Sequence, residues 1–232
     1  MENQNIRIKY LCHSGFLVET DKHLLVFDLC RGDIDLGDKK TYVFASHAHS
    51  DHYNPVIFNL REKRPDIRYI LSSDIYEGPD PPPVKGNITS ISLYEEKMID
   101  DIKVKAYGST DTGISFLVEC DGKKIFHAGD LNWWYWPGDT PEGIATAEKS
   151  FKKEIARIKG EQIDVAFFPV DPRLEQNYCL GAEYFINEIE PRYLIPMHFW
   201  NDYGLIRQFS TKMEASSTRV IEITERGQEI NL

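Results

Sequence analysis

Seven histidines are spread through the 232 residues, and three of them crowd into one short stretch, His47-Ala48-His49-Ser50-Asp51-His52. Imidazole nitrogens and carboxylate oxygens are the donors that zinc and similar divalent cations take. His47 and His49 are two apart, so in an extended segment their side chains share a side. Asp51 and His52 are adjacent, must diverge, and can serve a second position. A divalent ion held by such a set lowers the pKa of its water from about 15.7 to near 7 and polarises a carbonyl or phosphoryl group. Asp51 can hold the nucleophile and accept its proton, which makes it a catalytic candidate. The chemistry expected is attack by a metal-bound hydroxide on such a carbonyl or phosphoryl group.

Rigid elements must fix the ends of that loop. An apolar run, Thr41 to Ala45, reads as a short buried strand before it. Behind it, Asn54-Pro55 reads as an N-cap and first-turn proline, predicting a helix over 55–63. Upstream, Ile6–Leu11 and Phe16–Glu19 flank the turn-forming Ser14-Gly15, and the run His23 to Asp28 ends at an acid. Further strands are expected at Ile67–Leu71, Asn87–Leu93, Ile102–Ala106, Ile114–Glu119 and Lys123–Ala128, the last two joined at Asp121-Gly122, a hairpin signal. A stiff proline-rich loop occupies 78–83. The charged stretch 144–159 has an apolar face and reads as an amphipathic helix. Val165–Pro169 is a buried strand, 181–190 a helix, and Tyr193–Pro196 a strand leading into Met197-His198. The tail, 218–223 and 228–232, can add a last strand. Strands early and alternating helices and strands late support one α/β domain over 1–232, sheets inside and helices outside.

Apolar residues make up 41% and charged residues 28%, the profile of a folded globular chain and not of a disordered one. A formal charge of −10 repels phosphate backbones and disfavours nucleic acid as a partner. No stretch approaches the roughly 18 uncharged apolar residues of a membrane span, and the first residues carry no apolar signal-peptide core. Cys12, Cys30, Cys120 and Cys179 form no CxxC pair and read as reduced, buried thiols. The expectation is a cytoplasmic protein with a small-molecule substrate and no membrane partner; a homo-oligomer stays open.

The motif HxHxDH after a strand resembles the signature loop of the metallo-β-lactamase superfamily. Phe126-His127-Ala128-Gly129-Asp130 is similar to the strand that ends in that family's bridging aspartate. Ile195-Pro196-Met197-His198 is similar to its last metal histidine, and Asp28 to the acid that orients the HxH loop from behind. The resemblance runs from about Tyr10 to His198. Leu11-Cys12-His13-Ser14-Gly15-Phe16 and the compact size look most like the branch that contains ascorbate-6-phosphate lactonase. The resemblance implies a four-layer αββα sandwich with one or two divalent ions at the edge where the sheets meet, zinc first, with manganese or iron as alternatives. It implies a first site of His47 and His49, a second of Asp51, His52 and His198, and Asp130 bridging them.

One departure stands out. The family's third first-site histidine is missing from Ala106-Tyr107-Gly108-Ser109-Thr110-Asp111-Thr112-Gly113. Asp111 either substitutes as an oxygen ligand, which favours manganese, iron or magnesium, or is a turn residue before Gly113. That departure keeps two other readings open: a mononuclear iron enzyme running oxygen chemistry, and a degenerate member that binds a ligand without catalysis.

Lesser candidates surround this set. His127 is either a group contacting substrate, hence a catalytic candidate, or a hydrogen-bonded strand histidine. His13 begins a turn near the sheet edge and is a candidate substrate contact. His23 reads as a surface turn residue. The aromatic run Trp133-Trp134-Tyr135-Trp136 either walls the site mouth, with Trp133 the residue chosen, or covers the core. Arg173, after Asp171-Pro172, either binds an anionic substrate group or makes a local ion pair.

Overall fold

The computed structural model describes residues 5–31, 34–78, 81–83 and 86–232, so the expected loop at 78–83 lies partly outside the described residues. Along the chain, β1 (Arg7–Cys12), β2 (Gly15–Glu19), β3 (His23–Phe27), β4 (Lys40–Ala45), β5 (Arg68–Ser72) and β6 (Ile88–Ile91) build a first sheet, with short helices α1 (Leu60–Lys63) and α2 (Ser73–Tyr76) on its connections. A second sheet takes β7 (Glu96–Ile99), β8 (Ile102–Gly108), β9 (Ile114–Cys120), β10 (Lys123–His127), β11 (Val165–Pro169), β12 (Tyr193–Met197) and β13 (Arg219–Val220). Its parallel strands are linked by α3 (Pro141–Ile158), α4 (Leu180–Ile189) and α5 (Tyr203–Lys212), and β14 (Glu229–Asn231) returns to pair with β1.

β1 alternates exposed and buried residues, as a strand with one covered face does, whereas β3 and β11 are buried throughout because both their faces are covered. The inner faces meet through aromatic contacts: Phe16 on Phe167 at 4.2 Å and Phe44 on Phe116 at 5.3 Å between ring centroids. On the outer face of the first sheet, Val26, Val43, Tyr69 and Leu71 cluster with Ile57, Phe58, Leu60 and Ile75. On the outer face of the second, Phe168 stacks on Phe185 of α4 at 4.5 Å and meets Phe151 of α3 at 6.3 Å. The result is helical segment, sheet, sheet, helices, the four-layer αββα sandwich. Among the described residues no helix is long and apolar enough to cross a membrane. All four cysteines are free and buried.

Several elements differ from the expectation. The helix over 55–63 is a 3-10 turn, Pro55–Asn59, capped by the Asn54 side chain and running into α1. α3 starts at Pro141, where the Thr140 side chain caps it. β7, α2 and α5 are additions, and the tail divides, β13 joining the second sheet and β14 the first. His23 is not a surface residue; it is buried, and its Nδ1 lies 2.9 Å from Asp121 Oδ2, which ties β3 to the β9–β10 hairpin.

Direction is what matters for the site. β3 and β4 run parallel, β1 runs the same way as β3 because both are antiparallel to β2, and β10, β11 and β12 run parallel in the other sheet. The carboxyl ends of these strands therefore meet along one rim of the sandwich.

Candidate metal centre

β4 delivers Ser46 and His47, and the turn after it carries His49, Asp51 and His52. β3 ends at Asp28, β10 leads into Asp130, β11 into Asp171 and β12 into His198, while the β1–β2 turn supplies His13. His13, Asp28 and His198 have φ of 49°, 43° and 64°, a left-handed backbone that costs a non-glycine residue of order 1–3 kcal/mol. Gly113 closes the rim at φ 76°: a Cβ there would lie 2.2 Å from Ser46 O and 2.4 Å from His47 Cβ.

Asp130 sits at the middle. Its Oδ1 is 3.1 Å from His52 Nε2 and 3.5 Å from His198 Nε2, and its Oδ2 is 3.5 Å from His47 Nε2. Each of these rings is held from behind. His52 Nδ1 donates to Asp28 Oδ2 at 2.7 Å, and His198 Nδ1 donates to Asp171 Oδ2 at 2.8 Å. Ser46 Oγ donates to Asp28 Oδ2 at 2.7 Å and accepts from His47 Nδ1 at 3.0 Å, while Ser46 N donates to Asp28 Oδ1 at 2.8 Å. Outer carboxylates that fix the tautomer in this way are what metal-ligating histidines carry. They leave Nε2 as an acceptor on each ring, aimed at a carboxylate that is also an acceptor. His47 Nε2, His52 Nε2 and Asp130 Oδ1 are buried without a hydrogen-bond partner among the described residues. Converging, unpaired acceptors in a dry pocket are stable only around positive charge, so the residues present fit a divalent cation.

The electrostatics agree. Burial, with His52 beside it, pushes His47 down to about 4, so its imidazole is neutral at pH 7. Burial also acts to lower His52, but the negative charge of Asp130 and Asp28 on either side overrides it and raises it to about 10. The pocket selects positive charge at that point. Burial would raise Asp130 and Asp171, yet the histidines around them keep both ionised, Asp171 at about 2.

Among the described residues, three groups of ligand atoms each fall within 4.8 Å of one another: His47, His52 and Asp130; His49, Asp111 and Asp130; and His13, Asp51, His52 and His198. Asp111 thus stands beside His49 and Asp130, and Asp28 lies behind His52 and Ser46. Arg173 does make the local pair. Its Nε lies 3.0 Å from both Asp171 oxygens and its Nη2 2.6 Å from Oδ2, while its guanidinium sits between Trp136 and Trp200 at 5.2 and 5.0 Å.

Two candidates are corrected. His127 cannot exchange a proton with a substrate: it is fully buried, Nε2 donates to Ser14 O at 2.8 Å, Nδ1 accepts from Gly129 N at 3.2 Å, and the ring stacks on Phe27. It pins the β1–β2 turn to the strand end that carries Asp130. Trp133 faces the helices, against Phe151 and Tyr184 with Lys152 over its ring. Trp134 lies at the site in its place, its edge on His198 at 5.7 Å and its Nε1 donating to Asp130 O at 3.0 Å. Ser46, Trp200 and the bond from His198 to Asp171 escape a reading of the sequence, which points to the aromatic run but not to Trp134 within it. One usable signal was there: Asp171 closes an apolar strand just as Asp28 does.

The beta-lactamase superfamily domain matches residues 7–133, more than half of the chain. A UPF0173 metal-dependent hydrolase of Alkaliphilus metalliredigens is 23% identical, covering 95% of this chain and 98% of its own. Another, from Symbiobacterium thermophilum, is 26% identical over 88% of both. Among solved structures, Igni18, a metallo hydrolase of Ignicoccus hospitalis, superposes with a TM-score of 0.68 at 18% identity, over 98% of each chain. CmlA, a diiron beta-hydroxylase of Streptomyces venezuelae, gives 0.62 at 10% identity, over all of this chain and 54% of its own.

Proposed function

The chain belongs to the beta-lactamase superfamily, and from that membership we propose a metal-dependent hydrolase that opens a small ester, lactone or phosphoester at the strand-end rim. The observation that carries the reading is the set of buried acceptors facing Asp130, with the donors behind them already committed. His47, His49 and Asp111 would hold one ion, Asp51, His52 and His198 a second, with Asp130 shared; zinc is the first expectation. Bound there, such ions supply Lewis acidity and a nucleophile from water at neutral pH.

The chain's own residues do the rest. Asp51 is half-buried at the mouth and accepts the proton of the attacking water. Asp28 and Asp171 hold the rings of His52 and His198 in one orientation, which keeps the reacting geometry fixed before substrate arrives. Trp134 and the exposed Trp200 wall the mouth and take the apolar part of a substrate. Arg173, half-exposed between two indoles, presents its outer edge to an anionic group. A pocket of about 210 Å³ bounded by His13, Arg31, Asp51 and Trp200 suits a small molecule. The narrower likeness to ascorbate-6-phosphate lactonase rests on Leu11–Phe16 and adds a sugar lactone to the substrates worth trying. The four free thiols accord with a cytoplasmic location.

The test is metal content by elemental mass spectrometry on protein purified without chelator, followed by a panel of ester, lactone and phosphoester substrates. About two ions per chain are expected. Less than about a tenth of an ion, not restored by zinc, manganese or iron, would overturn the reading in favour of a binding protein. At full metal loading Asp51→Ala should lose on the order of 10²–10⁴ in kcat, and unchanged turnover would remove the role given to Asp51. One observation favours a second reading. Asp111 brings an oxygen donor beside His49 and Asp130, the kind of position that suits iron, and CmlA, alike in fold, is a diiron beta-hydroxylase. Iron as the retained metal, with oxygen uptake and no hydrolysis, would move the assignment there.

A further inference from the structure

His13, which bounds the pocket described above, is a buried imidazole with no chemical role yet assigned. Its Nε2 has no hydrogen-bond partner among the described residues and is buried, 3.4 Å from Asp51 Oδ2. Its ring centroid is 4.1 Å from that of His198 and edge-on to His52 at 5.3 Å. The backbone is built to aim it there: His13 has φ 49°, and its carbonyl accepts from His198 N at 3.2 Å, locking the β1–β2 turn to the end of β12.

We propose that His13 is a protein ligand of the second metal position, together with Asp51, His52 and His198, rather than a substrate contact. The proposal rests on the metal-dependent reading above. Its physical basis is a buried imidazole nitrogen without a hydrogen-bond partner, converging with three other ligand atoms within 4.8 Å. As a hydrogen-bond donor to Asp51 it would leave that contact unmade, since the geometry fails as a hydrogen bond.

The assignment changes the character of the centre. The second position gains a third imidazole, and the first, with Asp111 and Asp130, keeps two. The histidine missing from the loop before β9 is matched by one arriving from β1 on the other side. The nitrogen-rich position should hold zinc or cobalt more tightly, and the carboxylate-rich one should exchange first and accept manganese or iron.

The test uses the intact protein. His13→Asn keeps a side chain that tolerates the left-handed backbone, and His13→Ala is the truncation. Wild type and variants are stripped, checked for equal apo melting, and titrated with zinc under competition and with cobalt(II) read by its visible absorption. The expected result is two binding steps in wild type, with the tighter weakened at least about tenfold in both variants and the cobalt bands altered. As a check that needs no variant fold, nitrogen NMR of the wild-type imidazoles should show His13 Nε2 shifting on zinc addition with those of His52 and His198. Wild-type affinity and spectrum in His13→Asn, or an unmoved His13 resonance, would overturn the proposal while leaving the hydrolase reading in place. A wild type that takes up no metal would overturn both.

Discussion

Asp28 and Asp171 perform one task on two histidines, each taking the Nδ1 proton and turning Nε2 toward Asp130. They differ in what else they hold. Both are fully buried, but Asp28 also fixes Ser46 through its backbone N and its hydroxyl, so its loss disturbs folding as well as the site. Asp171 has a second partner in half-exposed Arg173, so Asp171→Asn separates orientation from stability. That variant should keep the fold and lose about 10–100-fold in metal affinity, read by competition titration; unchanged affinity would show that the bond to His198 is incidental. At this scale the sequence was legible where the chemistry is local. His47, His49, Asp51 and His52 lie in one turn, and their types announce a metal. The partnership of Asp171 with His198 depends on β11 and β12 pairing in register, Pro169 opposite Met197, which residue order does not reveal. Among four neighbouring aromatics, which one faces the site is a matter of how the coil after β10 turns, and it is Trp134 and not Trp133 that lies at the centre.

Elements were read best where both faces of a strand are buried, because a short apolar run bounded by turn residues leaves little choice. β11 was bounded to the residue. β7, whose four residues include Glu96 and Lys97, carries too little apolar signal as a mostly exposed edge strand. α5 buries only Ile206 and Phe209 and announces itself mainly through the cap at Asp202. Charge can tie elements together as burial does. Glu161, just beyond α3, accepts from Lys124 at 2.7 Å, Tyr107 at 2.8 Å and Lys105 at 3.1 Å, joining the helix to β8 and β10. Burial alone would raise its carboxyl, but these bonds hold it down at about 2. A carboxyl lowered in the folded state stabilises fully above its unfolded value near 4.5 and loses that contribution as pH falls toward 2. Glu161→Gln should therefore melt a few degrees below wild type at neutral pH, with the gap closing as pH drops below the unfolded value. A gap that is constant with pH would mean the bonds act through packing and not through charge.

At the scale of the molecule, the two sheets repeat one plan. In each, antiparallel strands lead into four parallel ones, and the parallel strands of both sheets end at the same rim. The repeat is invisible as sequence because it lies in strand order and direction, not in residue identity. Its consequence is that backbone from both halves converges on Asp130, so the centre is also a seam. β4 brings His47 from one sheet, β12 brings His198 from the other, and without a cation their acceptors face one another across that seam. Metal should then act as a structural cross-link as well as a reagent. For a ligand that binds only the folded state, a hundredfold excess over Kd is worth about 2.7 kcal/mol, which in a chain this long is a melting shift of roughly 5–10 °C. Stripping the protein with a chelator should lower the melting temperature by that much, and re-adding metal at unchanged ionic strength should restore it. If the metal leaves and the melting temperature does not move, the rim is preorganised by Asp28, Asp171 and His127 alone, and the cation contributes to chemistry without holding the two sheets together.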